Sequence, residues 1–390
     1  MNSALIPRTA RLAEIQGGLA VAPIVAVLGP RQCGKTTLTY ALQAAPGQHF
    51  DLEEPADFLR LEESSDILAL MTGVVVIDEI QRLPALFPRL RVWADRHSPL
   101  LRFLITGSAS FDLIQGVSES LAGRVRLVKL SGFDLNETGA SSVPDLWLRG
   151  GFPRSYLAVS AAESWRWRRD FVETFLTRDL PQLRPLRHPP ALLRRFWTML
   201  AHYHGQSWNA QEAAGSLGLD VGTVNRYLQL MVDAFMVRLL PPWSENLGKR
   251  LRKTPKVYLR DSGIAHYLLN IRTESDLLSH PRCGASWEGF VIEQILRHVP
   301  DEGRASYWGT HGGAELDLLL DLGGQRIGFE IKRSDAPGTT KSMRSAIQDL
   351  KLQRLYVVHP GHRRYELDGG IELLPVTEIG TVLRELEHAL

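Results

Sequence analysis

The stretch Ile24-Val-Ala-Val-Leu28-Gly29-Pro30-Arg31-Gln32-Cys33-Gly34-Lys35-Thr36-Thr37 decides the fold. An apolar, β-prone run leads straight into G-x-x-x-x-G-K-[ST], and a helical pattern follows. The glycines let consecutive backbone N–H groups curl around phosphate. The helix N-terminus beyond them adds its positive end. Lys35 is spaced to reach the β and γ phosphates, and the Thr36 hydroxyl to ligate Mg²⁺. Gly29 through Thr37 are therefore the expected nucleotide-binding set, with ATP and Mg²⁺ as cofactors. Cys33 contributes its backbone, and its thiol is expected to make ATP binding sensitive to oxidation.

About forty residues on, Val74-Val-Val-Ile-Asp78-Glu79 is an apolar strand ending in two acids. It delivers Asp78 beside the phosphate loop to hold Mg²⁺, and Glu79 to polarise the attacking water. The next strand ends in Leu104-Ile-Thr106-Gly-Ser108. Thr106 and Ser108 are both candidates to sense the γ-phosphate, or else to cap a helix. Leu121-Ala-Gly-Arg124 precedes the strand Val125–Leu130, so Arg124 is either an arginine finger for a neighbouring subunit or a surface arginine. Asp51 and Glu53, at the end of the second strand, are further candidates for the Mg²⁺ region.

Composition narrows the class. The chain has 390 residues, enough for two or three domains, with 44% hydrophobic and 23% charged residues. A net charge of +2 advertises no global field for nucleic acid, so any basic site is a local patch. Two distant cysteines, Cys33 and Cys283, exclude a disulfide framework and a Cys-rich zinc site and suit a reducing cytosol. No run approaches the ~20 apolar residues of a membrane span, and Met1 to Arg11 lacks a signal peptide's apolar core. A cytoplasmic protein with no membrane association is expected.

The texture of the chain divides it into residues 1–140, 141–275 and 276–390. Strand–helix alternation in the first implies a helix-covered parallel sheet. The second reads as helical, with Trp165–Leu180 and Leu192–Tyr203 at 3.6-residue spacing. Trp165 to Arg169 reads as helix packing, and His202 and His204 lack a third zinc ligand. Gln211–Asp220 followed by Val221–Leu228 reads as helix–turn–helix, with Gly218 at the turn and Asp220 as cap. Its second helix presents Thr223, Asn225 and Arg226 as candidate DNA contacts. The segments Phe235–Leu240 and Lys256–Leu259 read as a wing. Between Asn246 and Arg260 lie Lys249, Arg250, Arg252, Lys253, Lys256 and Arg260 without an acid, a candidate phosphate-contacting strip or a solvated face.

In the last third, Glu315-Leu-Asp317 precedes a hairpin at Gly323-Gly324 and then Glu330-Ile-Lys332. Period-two alternation puts Glu330 and Lys332 on one strand face. The helix Trp287–Val299 can supply Glu288 or Glu293. This order resembles the PD-(D/E)xK nuclease fold, which implies Asp317 and Glu330 on a metal and Lys332 on the hydrolytic water.

The succession of P-loop, Asp-Glu strand, Thr-Gly-Ser strand and Ala-Gly-Arg edge resembles an AAA+ ATPase. Nearly the whole chain resembles AAA family 14 with a C-terminal DUF4143 domain. The marks are Gly150-Gly-Phe-Pro-Arg154, Thr177-Arg-Asp179-Leu180 and Lys253-Thr-Pro-Lys-Val-Tyr-Leu-Arg-Asp261-Ser-Gly. The resemblance implies a parallel sheet of order 5-1-4-3-2, ATP at a subunit edge, and assembly into homo-oligomers. The expected fold is thus an α/β AAA+ ATPase sheet, a helical and winged-helix middle region, and an α/β nuclease-like C-terminal domain. The expected function is ATP-coupled action on DNA by binding, remodelling or cleavage. The alternative is a nucleotide-controlled switch on a protein partner, with an inactive nuclease-like domain.

Overall fold

The computed structural model describes residues 6–42, 44–96, 101–108, 120–183, 189–244, 252–299, 304–334 and 337–388. Lys249 and Arg250 lie outside them.

Five parallel strands form the first sheet: β1 (Ile24–Gly29), β2 (His49–Asp51), β3 (Gly73–Asp78), β4 (Leu101–Ser108) and β5 (Val125–Lys129). Their spatial order is β2-β3-β4-β1-β5, the expected 5-1-4-3-2 read from the other edge. Every residue of β1 is buried, because helices cover both faces. Val25 and Val27 pack with Ile15 and Leu19 of the helix Thr9–Val21. Ile24, Ala26 and Leu28 face Phe50, Leu90 and Trp93 on the other side. This layout brings Gly29, Asp78 and Ser108 to the carboxyl edge, where open parallel sheets bind ligands.

The middle region is helical, with the small antiparallel sheet β6 (Gln206–Ser207), β7 (Val237–Leu240) and β8 (Lys256–Leu259), order β6-β8-β7. Its long helix Ala161–Thr174, capped by Ser160, runs into a π-helical turn at Phe175–Asp179. Trp165 packs on Tyr267 and Trp167 on Phe171, as the helical spacing suggested. The helices Ala210–Leu217 and Val221–Asp233 form the helix–turn–helix. Gly218 sits at φ 69° between them, and the Asp220 side chain accepts from Thr223 N. β7 and β8 form the wing.

The last sheet has six strands: β9 (Ala305–Gly309), β10 (Glu315–Leu322), β11 (Gln325–Ile331), β12 (Arg354–His359), β13 (Tyr365–Asp368) and β14 (Ile371–Pro375). Their order is β13-β14-β12-β11-β10-β9, with β11, β12 and β14 mutually parallel. The helices Cys283–Leu296 and Ile379–His388 cover one face against Leu318, Leu320 and Phe329. The helix Lys341–Leu350 covers the other against Leu316, Leu319 and Leu355. The first of these helices begins four residues before the expected Trp287 and ends before Val299. Among the described residues, no helix is long and apolar enough to cross a membrane.

Candidate functional site

The P-loop turns as its glycines require. Gly34 takes φ 98° at the start of the helix Lys35–Ala41, and Gln32 also lies at positive φ. The buried Lys35 ammonium donates to the carbonyls of Gly29 (3.2 Å) and Pro30 (3.0 Å) and faces Glu79 Oε1 at 4.0 Å. Asp78 is buried at the end of β3. Its Oδ1 accepts from Thr106 Oγ1 and from Glu79 N (3.1 Å).

Glu79 sits in the left-handed region at φ 54°, a conformation that costs about 1–3 kcal/mol and recurs at functional sites. Its Oε2 accepts from Ser108 N (3.3 Å), Ser108 Oγ (3.1 Å) and Gln81 Nε2. Burial alone would raise the Glu79 carboxyl. Lys35, these hydrogen bonds and Arg31 outweigh it and hold the pKa below the usual glutamate value. Of the two polar residues at the end of β4, Ser108 contacts Glu79 and Thr106 contacts Asp78.

A cavity of ≈ 670 Å³ opens over the loop. The P-loop, Glu53 and Glu79 line one side, and Pro153, Arg154, Leu157 and Arg178 of the middle region line the other. Asp51 lies away from it, bonded to its own turn through Glu53 N. Ile6, Leu12 and Phe133 give the cavity an apolar end. Mg²⁺ fits the donor types, since Thr36 is a P-loop hydroxyl that lines the cavity and Asp78 is a carboxylate buried at the end of β3, next in sequence to the cavity-lining Glu79.

Three arginines, Arg8, Arg154 and Arg178, were missed as site residues in the sequence, and Arg31 of the expected set does more than line the loop. Arg154 and Arg178 line the cavity directly. Arg31 reaches Asp179 Oδ1 on the π-helical turn (2.9 Å) and so ties the P-loop to the middle region. Arg8 is buried and bonds Cys33 O (3.1 Å), Ser131 O (3.0 Å) and Glu137 Oε1 (2.7 Å), bracing the loop from behind. Arg154 stood in a quoted motif beside a helix-starting proline, which was the available signal.

One expectation here needs correction. Cys33 is fully buried, its Sγ points at Leu130 O, and burial pushes the thiol up, which makes it unreactive rather than redox-sensitive. Arg124 lies outside the lining of its own chain's cavity, which is compatible with either of its sequence readings. It pairs with Asp95 at the domain surface, with Nη2 to Oδ2 at 2.9 Å.

The nucleic-acid candidates divide. Thr223 is buried, its hydroxyl donating to Asp220 Oδ2 (2.6 Å) and accepting from Arg226 Nη2 (2.7 Å), which removes it from any groove contact. Asn225 and Arg226 are exposed, and Asn225 Oδ1 accepts from Trp208 Nε1. Among the described residues, three of the strip's four basic side chains are paired within the chain. Arg252 bonds Glu315 (2.9 Å), Lys256 is buried, and Arg260 meets Glu293 (3.4 Å), leaving Lys253 exposed.

The nuclease-like residues do converge. Asp317 on β10 stands one position beyond the Leu318–Phe329 pair, opposite Glu330 on β11, and accepts from Ile331 N (2.8 Å). Lys332 Nζ lies 2.6 Å from Glu330 Oε1. Of the two helix acids, Glu288 joins this group, bonded by Tyr258 OH and Lys256 Nζ (3.1 Å). Glu293 does not join it. It is buried between Arg238 (2.5 Å) and Arg260, which overcome burial and pull its carboxyl down to about 2. Burial first, then Glu288 and Glu330, push Asp317 well above the usual range. Among the described residues, no three His, Cys, Asp or Glu side chains are arranged to hold a metal ion.

Fold and site define a P-loop ATPase of the AAA type. The AAA domain family matches residues 21–139, a domain of unknown function (DUF8612) matches 140–275, and a second (DUF4143) matches 283–379. The chain is 48% identical over 378 residues to the uncharacterized proteins Rv2008c of Mycobacterium tuberculosis and Mb2031c of Mycobacterium bovis. The match covers 97% of this chain and 85% of each relative. The chain thus belongs to the AAA family 14 ATPases with a C-terminal DUF4143 domain. Among solved structures it is similar to the Walker-type ATPase PABY2304 of Pyrococcus abyssi, at 16% identity and a TM-score of 0.47. That match covers 69% of this chain and 97% of the other.

Proposed function

We propose that the chain binds ATP with Mg²⁺, hydrolyses it, and passes its nucleotide state to the helical middle region as a switch on a protein partner. One observation carries the reading. A single cavity is walled by Lys35 and Glu79 on one side and by Arg154 and Arg178 of the middle region on the other. A nucleotide seated on the loop would occupy the space between these walls.

In this reading the P-loop amides and Lys35 bind the phosphates. Thr36 and Asp78 would hold the Mg²⁺, which would neutralise developing charge on the phosphates. Glu79 accepts a proton from the attacking water, with Ser108 orienting its carboxylate. Arg154 and Arg178 add positive charge as the γ-phosphate leaves. Arg124 acts on the site of a second copy in a homo-oligomer.

The internal pairing of Arg252, Lys256 and Arg260 favours the switch over a DNA motor. A second reading, action on DNA, draws on the exposed Asn225 and Arg226 of a well-formed helix–turn–helix. Steady-state ATP hydrolysis with and without single-stranded, duplex and branched DNA, with Lys35→Ala as control, decides between them. Lys35-dependent turnover indifferent to every DNA supports the switch. Strong stimulation by one DNA form transfers the case to the DNA reading, and turnover that survives Lys35→Ala overturns both.

A further inference from the structure

Four carboxylates, Glu288, Glu315, Asp317 and Glu330, gather between the helix Cys283–Leu296 and the β10–β11 hairpin. A nuclease-like fold would fill such a cluster with a divalent metal. Here a side chain from another part of the chain reaches it first. Lys256, on the wing strand β8, places its Nζ 2.5 Å from Glu315 Oε1 and 3.1 Å from Glu288 Oε1. The ammonium is almost wholly enclosed and lies 5.4 Å over the Tyr307 ring. Arg252, four residues before Lys256, takes the other oxygen of Glu315 (2.9 Å). Lys332 holds one oxygen of Glu330.

Burying one isolated ammonium is strongly unfavourable, and only close carboxylates compensate it. Burial by itself would lower the Lys256 pKa, but Glu288, Asp317 and Glu315 outweigh it and hold the group charged. The converse also holds. Without Lys256, the four clustered carboxylates would face, among the described residues, Arg252 and Lys332, both at the rim. Glu330 Oε2 adds an independent sign of a site built for a cation. It is a buried acceptor with no hydrogen-bond partner, on a residue only 5% exposed. Burying an unpaired carboxylate oxygen is costly unless a cation lies near.

We propose that the Lys256 ammonium fills the acid cluster in the place where a nuclease-like fold would carry a metal, locking the wing onto the C-terminal domain, so that with Lys256 in place the described carboxylates are not arranged to take a metal ion. Divalent metal and Lys256 compete for the same carboxylates. This inference is independent of the nucleotide reading, since none of these residues lines the P-loop cavity.

The test is a Mn²⁺ titration of the full chain without nucleotide, read by loss of the free-ion electron paramagnetic resonance signal. Wild-type protein and Asp317→Asn should titrate alike, because the cluster takes no Mn²⁺ while Lys256 is present. Lys256→Met should gain one Mn²⁺ site, with Kd of roughly 10⁻⁴ M, typical of weak carboxylate sites. Lys256→Met/Asp317→Asn should lose that site again, and Lys256→Arg should not gain it. The proposal fails if folded Lys256→Met gains no site. It fails equally if wild-type protein already binds a Mn²⁺ that Asp317→Asn abolishes, a comparison that does not need Lys256→Met to fold.

Discussion

Gly150→Ala tests how the middle region is held over the nucleotide cavity. Gly150 ends the helix Val143–Arg149 at φ 78°, ψ 175°, a region essentially confined to glycine. A Cβ there would lie 2.2 Å from Asp261 Oδ1 and 2.7 Å from Asp261 Oδ2. Asp261 cannot yield without loss, because its oxygens accept from Gly151 N (2.8 Å) and Ile264 N (2.9 Å). Gly139 is the matched control. It has φ 89°, ψ 159°, with nothing within 4 Å of an added Cβ. Gly139→Ala should therefore lose only the backbone term, about 1–3 kcal/mol. Gly150→Ala should lose that and two hydrogen bonds to a carboxylate, a further ~2–6 kcal/mol. At roughly 2–4 °C per kcal/mol, the two midpoints should differ by about 5 °C or more by calorimetry. Hydrogen exchange should show the helix Ser262–Leu268 losing protection in Gly150→Ala alone, and ATP affinity should fall as Pro153 and Arg154 move. Equal midpoints for the two variants would refute the claim that Asp261 grips this turn.

Glu79→Gln should retain ATP binding and lose about 10²–10⁴-fold in turnover, measured by single-turnover hydrolysis; near-normal turnover would remove Glu79 as the base. Ser108→Ala, which takes away one hydrogen bond to Glu79 Oε2, should lower kcat roughly tenfold with KM little changed, and a pure KM effect would contradict its orienting role. Mixing Lys35→Ala with Arg124→Ala protein should restore hydrolysis that neither shows alone, since a mixed pair holds one site with both groups; no recovery would leave Arg124 as a surface residue paired to Asp95. Stability should fall on acidification from about pH 6.5, because burial depresses His204 to about 4 and its Nδ1 must stay unprotonated to accept from Leu259 N (3.0 Å). The folded pKa lies below the unfolded value, so the contribution, about 3 kcal/mol, is complete above pH 6.5 and lost as pH falls through about 4. His204→Gln should flatten that part of the pH profile in urea titrations.

What the sequence made legible was local. The P-loop lies in one continuous run, and strand, turn and helix each follow from neighbours a few residues apart. The helix–turn–helix was readable for the same reason, since Asn209 and Asp220 cap amides two or three residues on and Gly218 needs only its own φ. The convergence of Asp317, Glu330 and Lys332 followed from strand period and one hairpin. The failures were partnerships. Thr223 has a suitable side chain on a suitable helix, but its own cap Asp220 engages it. Lys256 looked like one cation in a strip because the acids that enclose it lie 32 and 59 residues away on other elements. Glu288 and Glu293 share one helix. Which of them reaches the cluster depends on where Arg238 and Arg260 stand in the wing. Charge pairing between elements is set by tertiary packing, and residue type alone does not reveal it.

The three motifs that singled out the family carry little reactive chemistry, and their positions explain them. Gly150 and Gly151 allow the turn that puts Pro153 and Arg154 on the cavity, and Asp261 of the third motif holds that turn by Gly151 N. Asp179 of the second holds Arg31 of the P-loop. Lys256, at the other end of β8 from Asp261, enters the acid cluster of the C-terminal domain. Asp261 lies five residue steps beyond Lys256, about 17 Å at strand rise. One short strand therefore leads at one end to the turn that carries Pro153 and Arg154 and at the other to the C-terminal acids. P-loop and Asp-Glu strands occur in many nucleotide hydrolases, because phosphate chemistry demands them. A three-part chain also needs seams that fit only its own parts. Glycines pressed against a buried carboxylate, an arginine reaching from the P-loop to a π-helical turn, and a lysine buried among a neighbour's acids are such seams. They tolerate few substitutions for steric and electrostatic reasons, independent of any reaction.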